Sequence, residues 1–152
     1  MTLTQADTSG PDRSGPPTTR YRTLILGASY GSLLSTKLML AGHHATLVCR
    51  EATAAIFNEE GSVVRIPVRG RDGLIEVDSG SLAGSLQAAA PEKIDPTDFD
   101  LVVLAMQEPQ YGVPAVAELM SRVAASGKPC MSIMNMPPLT YLRRFDSLEA
   151  EA

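Results

Sequence analysis

Two short stretches hold residue types that together could grip a phosphorylated ligand. One is Gly27-Ala28-Ser29-Tyr30-Gly31-Ser32; the other is Arg50, at the end of an apolar run. A dinucleotide needs a tight turn after a strand, backbone close to its pyrophosphate, and helix N–H groups aimed at it. Gly27 suits the turn and Gly31 suits close packing of a helix on a strand, while Ser29 and Ser32 offer hydroxyl donors. Tyr30 lies in the same loop, where it either closes over a ribose or phosphate or is an exposed loop aromatic. The order is G-x-S-x-G-S rather than G-x-G-x-x-G, so the pattern is weak by itself. A glycine turn that binds nothing would read the same way.

The end of the second predicted strand, Cys49-Arg50-Glu51, speaks to the kind of nucleotide. An acid there accepts ribose hydroxyls in NAD sites, whereas an arginine meets the 2′-phosphate of NADP with paired donors. Arg50 favours NADP; Glu51 leaves an NAD reading open, and a solvated surface arginine is the plain alternative. The missing acid at the strand's last position argues against a methyltransferase using S-adenosylmethionine. His43-His44 follow a helix end without a nearby nucleophile or base and read as a turn, and Arg143-Arg144 read as solvated. No His/Cys/Asp/Glu cluster has metal-ligand spacing, so no metal is expected.

The elements that must position these residues can be traced along the chain. Residues 1–20, rich in Ser, Thr, Gly, Pro and Asp, bury too little to order and read as a disordered tail. Thr23–Leu26 is a continuous apolar run that suits a parallel strand covered on both faces. A helix is predicted over Gly31–Ala41, with Leu33, Leu34, Leu38 and Ala41 inward, Ser32, Ser35 and Thr36 outward, and Gly42 just past its end. Ala45–Cys49 gives the second strand and completes a βαβ crossover. Glu51–Asn58 reads as a short helix closing at Gly61. Ser62–Pro67 and Gly73–Val77 read as a hairpin with a turn at Asp72-Gly73. Asp78–Pro91 is rich in small residues and reads as a loop leading into a short helix. Asp100–Met106 is the strongest buried-strand signal, followed by a helix over Val113–Ala125 and a last strand over Lys128–Met134. Pro137-Pro138 then breaks regular structure. Strand–helix alternation predicts a single α/β domain over residues 21–140, a Rossmann-type doubly wound, mostly parallel sheet, with 141–152 a truncated C-terminal extension.

Bulk composition bounds the partners. At 152 residues the chain fits one domain, and a net charge of -4 supplies no positive field for nucleic acid or an anionic membrane. Apolar runs are too short to span a bilayer, and residues 1–20 lack a signal-peptide core. Cys49 and Cys130 read as small core residues rather than a disulfide, and a reducing, cytoplasmic setting follows.

With these residues in view, the chain resembles the N-terminal domain of ketopantoate reductase-like proteins (2-dehydropantoate 2-reductases). Gly31–Arg50 (GSLLSTKLMLAGHHATLVCR) is similar to that family's first helix and second strand. Asp98–Gln107 and Met131–Pro138 fall where the family has its fourth and fifth strands. The resemblance implies a nicotinamide cofactor, NADP, and hydride transfer from NADPH to a small 2-keto acid. It places Gly27, Ala28, Ser29, Tyr30, Gly31 and Ser32 around the pyrophosphate, Arg50 at the 2′-phosphate, and Met106 and Gln107 along the ribose–nicotinamide path. Asn135 would face the substrate, or else cap a turn before Pro137.

Departures from the family accompany the likeness. The loop is one residue shorter than the family's, Gln107 stands where a lysine is common, and Met136 replaces a glycine. The family's catalytic lysine and acidic substrate ligand lie in a C-terminal helical domain that would follow, so catalytic residues are left unassigned. Three readings stand: an NADP-binding oxidoreductase domain completed by a partner domain, a non-catalytic nucleotide-binding or interaction module, and a domain that has lost its ligand. The apolar Met134–Leu142 stretch admits a homodimer.

Overall fold

The computed structural model describes residues 19–133. The expectations placed on Asn135, Met136, Pro137-Pro138, Arg143-Arg144 and most of the N-terminal tail lie outside the described residues. Strands β1 (Arg22–Leu26), β2 (His44–Val48), β5 (Ser85–Ala89), β6 (Leu101–Leu104) and β7 (Cys130–Ser132) form one sheet in the order β5-β2-β1-β6-β7. Every pairing in it is parallel. The first strand is therefore central, and the chain winds outward from it in both directions, as a doubly wound Rossmann sheet does.

Burial on both faces explains why these strands read as continuous apolar runs. On one face Leu24, Leu26, Val102 and Leu104 pack with Val116, Leu119, Met120 and Val123 of α4 (Pro114–Ser126). On the other, Ile25, Leu47, Val103 and several alanines meet α1 (Ala28–Leu40) and α2 (Glu51–Glu60). Leu24, Ile25, Leu47 and Leu119 have no exposed surface, each worth about 1.5–3 kcal/mol of burial.

Four expectations are corrected. Helix α1 starts at Ala28, so Ala28–Tyr30 form its first turn rather than a loop. Its inward face is only in part the leucine stripe: Leu34 and Leu38 pack half-buried against the core, but the buried residues are Gly31, Ser35, Thr36 and Met39, and Leu33 is 43% exposed. Small residues let the helix axis come close to the sheet. The two hydroxyls tolerate burial because Ser35 Oγ and Thr36 Oγ1 both donate to the Ser32 carbonyl, at 2.9 and 2.8 Å. Beyond the helix, Gly42 adopts φ +84 as expected, with Gly42 N–H on Met39 O and His43 N–H on Leu38 O, a Schellman ending.

The third correction is β5, an edge strand inside the stretch expected to be a loop and short helix. Its sequence, Ser-Leu-Gln-Ala-Ala, has weak strand propensity, yet it pairs with β2 from His44↔Ser85 to Val48↔Ala89. Its outer edge is occupied by one side chain. Asn58 of α2 donates Nδ2 to Ala88 O and accepts Ala88 N–H on Oδ1, both at 2.8 Å, completing the ladder as another strand would. The expected hairpin forms, as antiparallel β3 (Val63–Pro67) and β4 (Leu74–Asp78). His44 lies in β2 rather than a turn, its Nδ1 2.7 Å from Ser85 Oγ.

Candidate functional site

The carboxyl ends of β1, β2 and β6 finish level with one another. The ladder runs one step past each: Gly27 N–H donates to Val48 O, Cys49 N–H to Ala89 O, and Ala105 N–H to Leu26 O. Helix α1 leaves from β1 toward β2, and the chain after β6 leaves toward β7. Their divergence at the β1/β6 boundary is the switch point where such sheets hold ligands. A cleft of about 580 Å³ opens there, within the range of small-molecule sites. Its floor is Gly27, Ala28 and Met106; one wall is Val48, Cys49, Arg50 and Glu51, and the facing wall is Gln110, Val113 and Val116. Ala90, Pro91 and Glu92 close its outer rim.

Gly27 is the hinge of this arrangement. It holds φ +113, and a Cβ on it would stand 2.7 Å from the Ala105 carbonyl oxygen and 3.0 Å from Met106 Cγ. Glycine supplies both the backbone angle and the close approach. As N-cap it has no side chain to satisfy the helix start. The first intrahelical bond runs from Gly31 N–H to Gly27 O, so Ala28, Ser29 and Tyr30 N–H have no acceptor within the helix. Those donors and the helix dipole favour a negative group at the cleft floor.

The other residues proposed from sequence divide by position. Gly31 is buried against the sheet, where a Cβ would meet Ile25 Cγ2 at 2.7 Å; it sets helix–sheet distance and does not line the cleft. Ser32 donates its hydroxyl to Ser29 O within the helix, and Ser29 and Tyr30 are exposed beside the cleft rather than in its wall. Gln107 is also off the wall: its N–H is held by Gln110 Oε1 at 2.9 Å, opening the short helix α3 (Glu108–Tyr111). Met106 is fixed from behind, its N–H on the hydroxyl of buried Tyr111. Arg50, Met106, Gly27 and Ala28 thus share the cleft. Asn135 falls outside the described residues.

Charge at the mouth is arranged unevenly. Arg50 is exposed at the N-cap of α2 and, among the described residues, forms no ion pair. Its neighbour Glu51 is engaged instead by Lys93 Nζ, at 2.6 Å. Cys49, on the same wall, has its thiol pKa raised by burial and then by Glu51, so it is held as a neutral thiol. Glu92, Gln110 and Val113 escaped the sequence reading, because the strand that delivers Glu92 was not recognised and no motif marks the other two. A second hollow, of about 510 Å³, lies on the sheet's flank between Arg22, Gln87 and Phe99. It lies outside the switch point and borders no helix start of α1. Among the described residues no group of His, Cys, Asp or Glu could hold a metal ion. No helix among them is long and apolar enough to cross a membrane.

No protein-family model matches the sequence, and no curated protein matches it. Solved structures do. One is a candidate 2-dehydropantoate 2-reductase from Enterococcus faecalis, with a TM-score of 0.54 and 19% identity, covering 82% of this chain. Another is a candidate ketopantoate reductase from Ralstonia solanacearum MolK2, with a TM-score of 0.47 and 21% identity over 75% of this chain. The chain spans about a third of the length of each, 37% and 32%. With its five parallel strands wound outward from β1, the chain has the Rossmann-type α/β fold and is similar in that fold to the 2-dehydropantoate 2-reductase structure from Enterococcus faecalis.

Proposed function

We propose that this chain is an NADP(H)-binding domain of an oxidoreductase of ketopantoate reductase type, working with a catalytic domain supplied in addition to the residues described. The observation that carries the reading is the cleft at the switch point. Its floor presents the free N–H groups at the start of α1, and its β2 wall carries an unpaired arginine. The residues fit the cofactor in three respects. The glycine hinge leaves room for a pyrophosphate at the helix start, Arg50 is free for a 2′-phosphate, and the apolar wall of Val113 and Val116 suits an unsolvated ring. When bound, a nicotinamide would carry hydride; the chain's own part is to bind and orient it and to keep water from the apolar wall. The Enterococcus protein's description as a 2-dehydropantoate 2-reductase makes a small 2-keto acid the proposed substrate class.

Calorimetric titration of the 152-residue protein with NADPH and NADH, repeated on Arg50→Ala, tests this. Tighter NADPH binding is expected, with roughly ten- to hundredfold loss of that preference in the variant, the size of a charge-assisted bidentate contact. A folded protein that binds neither nucleotide sinks the proposal. It would favour a ligand-free module, a reading that the absence of a second glycine between Gly27 and Gly31 keeps open.

A further inference from the structure

The β2 wall of the cleft carries a carboxylate beside its arginine. Glu51 lies on the cleft wall directly after Arg50, where its carboxylate would repel a 2′-phosphate and accept the ribose hydroxyls of NAD instead. One of its oxygens is engaged already. Lys93 Nζ holds Glu51 Oε1 at 2.6 Å, from the single turn Pro91–Lys93 that follows β5. The turn is in turn fixed from below by α4: Arg122 donates Nη1 to Ile94 O and Nη2 to Pro91 O, gripping the carbonyls on either side of Glu92-Lys93. The pair is solvent-exposed, 63% and 65%, so it contributes little to stability. Its effect is on the field at the cleft mouth. Lys93 lines the flanking hollow and reaches the cleft only through Glu51, so removing it leaves Arg50 alone against the Glu51 and Glu92 carboxylates on the cleft lining.

We propose that Lys93, positioned by Arg122 through the Pro91 and Ile94 carbonyls, is a specificity residue that pairs the Glu51 carboxylate on the cleft wall and so sets the preference for a phosphorylated over an unphosphorylated ribose. The inference rests on the NADP reading above. Lys93 touches the Glu51 carboxylate, not the cofactor, so its loss changes the ratio of two affinities rather than abolishing both. An unmasked carboxylate on the cleft wall acts on a phosphate dianion through water, which gives a change of roughly three- to tenfold. That change shrinks as salt is raised.

The test is titration of the full 152-residue chain with NADPH and with NADH, at low and high salt, for wild type, Lys93→Met and Glu51→Gln/Lys93→Met. The expected result is a Lys93→Met protein whose NADPH-to-NADH affinity ratio falls roughly three- to tenfold, with the second substitution restoring it. A wild type that prefers NADPH while Lys93→Met keeps the same ratio overturns this inference alone. So does a lowered ratio that Glu51→Gln leaves unrelieved, because Lys93 would then be contacting the phosphate itself. A wild type that binds neither nucleotide, or prefers NADH, overturns the NADP reading and this inference with it.

Discussion

Replacing Gly31 by alanine probes how closely α1 lies on the sheet. A Cβ there would stand 2.7 Å from Ile25 Cγ2 and 3.0 Å from Leu47 Cδ2. The leucine methyl is the end of a flexible side chain and can swing aside. The isoleucine methyl cannot, since it branches directly from Cβ and Ile25 has no exposed surface. Helix or sheet must therefore give by several tenths of an ångström, and forcing an extra methyl into a packed interior costs about 1–3 kcal/mol. Alanine regains about 0.5–1 kcal/mol over glycine within a helix. Taking the middle of each range leaves a destabilisation of about 1.2 kcal/mol. With a urea dependence of about 2 kcal/mol/M, the unfolding midpoint followed by circular dichroism should fall by roughly 0.5–1 M at unchanged slope. A variant equal to or more stable than wild type would refute the argument, for it would mean that α1 can lift from β1 at no cost.

Two further outcomes follow from the same geometry. Asn58→Leu keeps the volume but strips Ala88 of both its side-chain partners, so stability should fall by about 2 kcal/mol; a midpoint within error of wild type would show that solvent replaces the amide fully. Burial pushes the Cys130 thiol from 9.0 up to about 11, so the folded state keeps a proton that the unfolded chain has lost. Stability is thus full below pH 9 and drops between pH 9 and about 11, by at most about 2.7 kcal/mol. Cys130→Ala should flatten that decline between urea midpoints taken at pH 8 and pH 10.5, and an unchanged decline would assign it to other groups.

The sequence carried the β1–α1–β2 unit plainly, because a strand covered on both faces must be apolar throughout and Gly27 and Gly42 mark the helix's two ends. It carried the inward face of α1 only in part, giving Leu34 and Leu38 but not the buried small residues. Ser35 and Thr36 look like solvent residues to any hydropathy pattern, yet their hydroxyls are satisfied inside the helix and their small size is what close packing requires. Strand β5 was hidden for a related reason: its ladder partners are β2 on one side and the Asn58 amide on the other, neither of which is local. Of the site, Gly27 and Arg50 were legible from their place at strand ends. The Glu51–Lys93 pair and the Arg122 grip on the following turn join residues far apart in the chain, and no local spacing announces them.

The central place of β1 bears on how the molecule is made. Its inner partner β2 follows closely, but its other edge waits for β6, and Arg22 N–H is finally held by Asp100 Oδ2, 78 residues on. At about 5–20 residues per second, the interval between synthesis of residues 48 and 104 is roughly 3 to 11 s. Through that interval one edge of a strand destined for burial presents a bare row of N–H and C=O groups to its neighbours on the polysome. Crowded, rapid expression should therefore punish a chain of this topology more than its final stability would suggest.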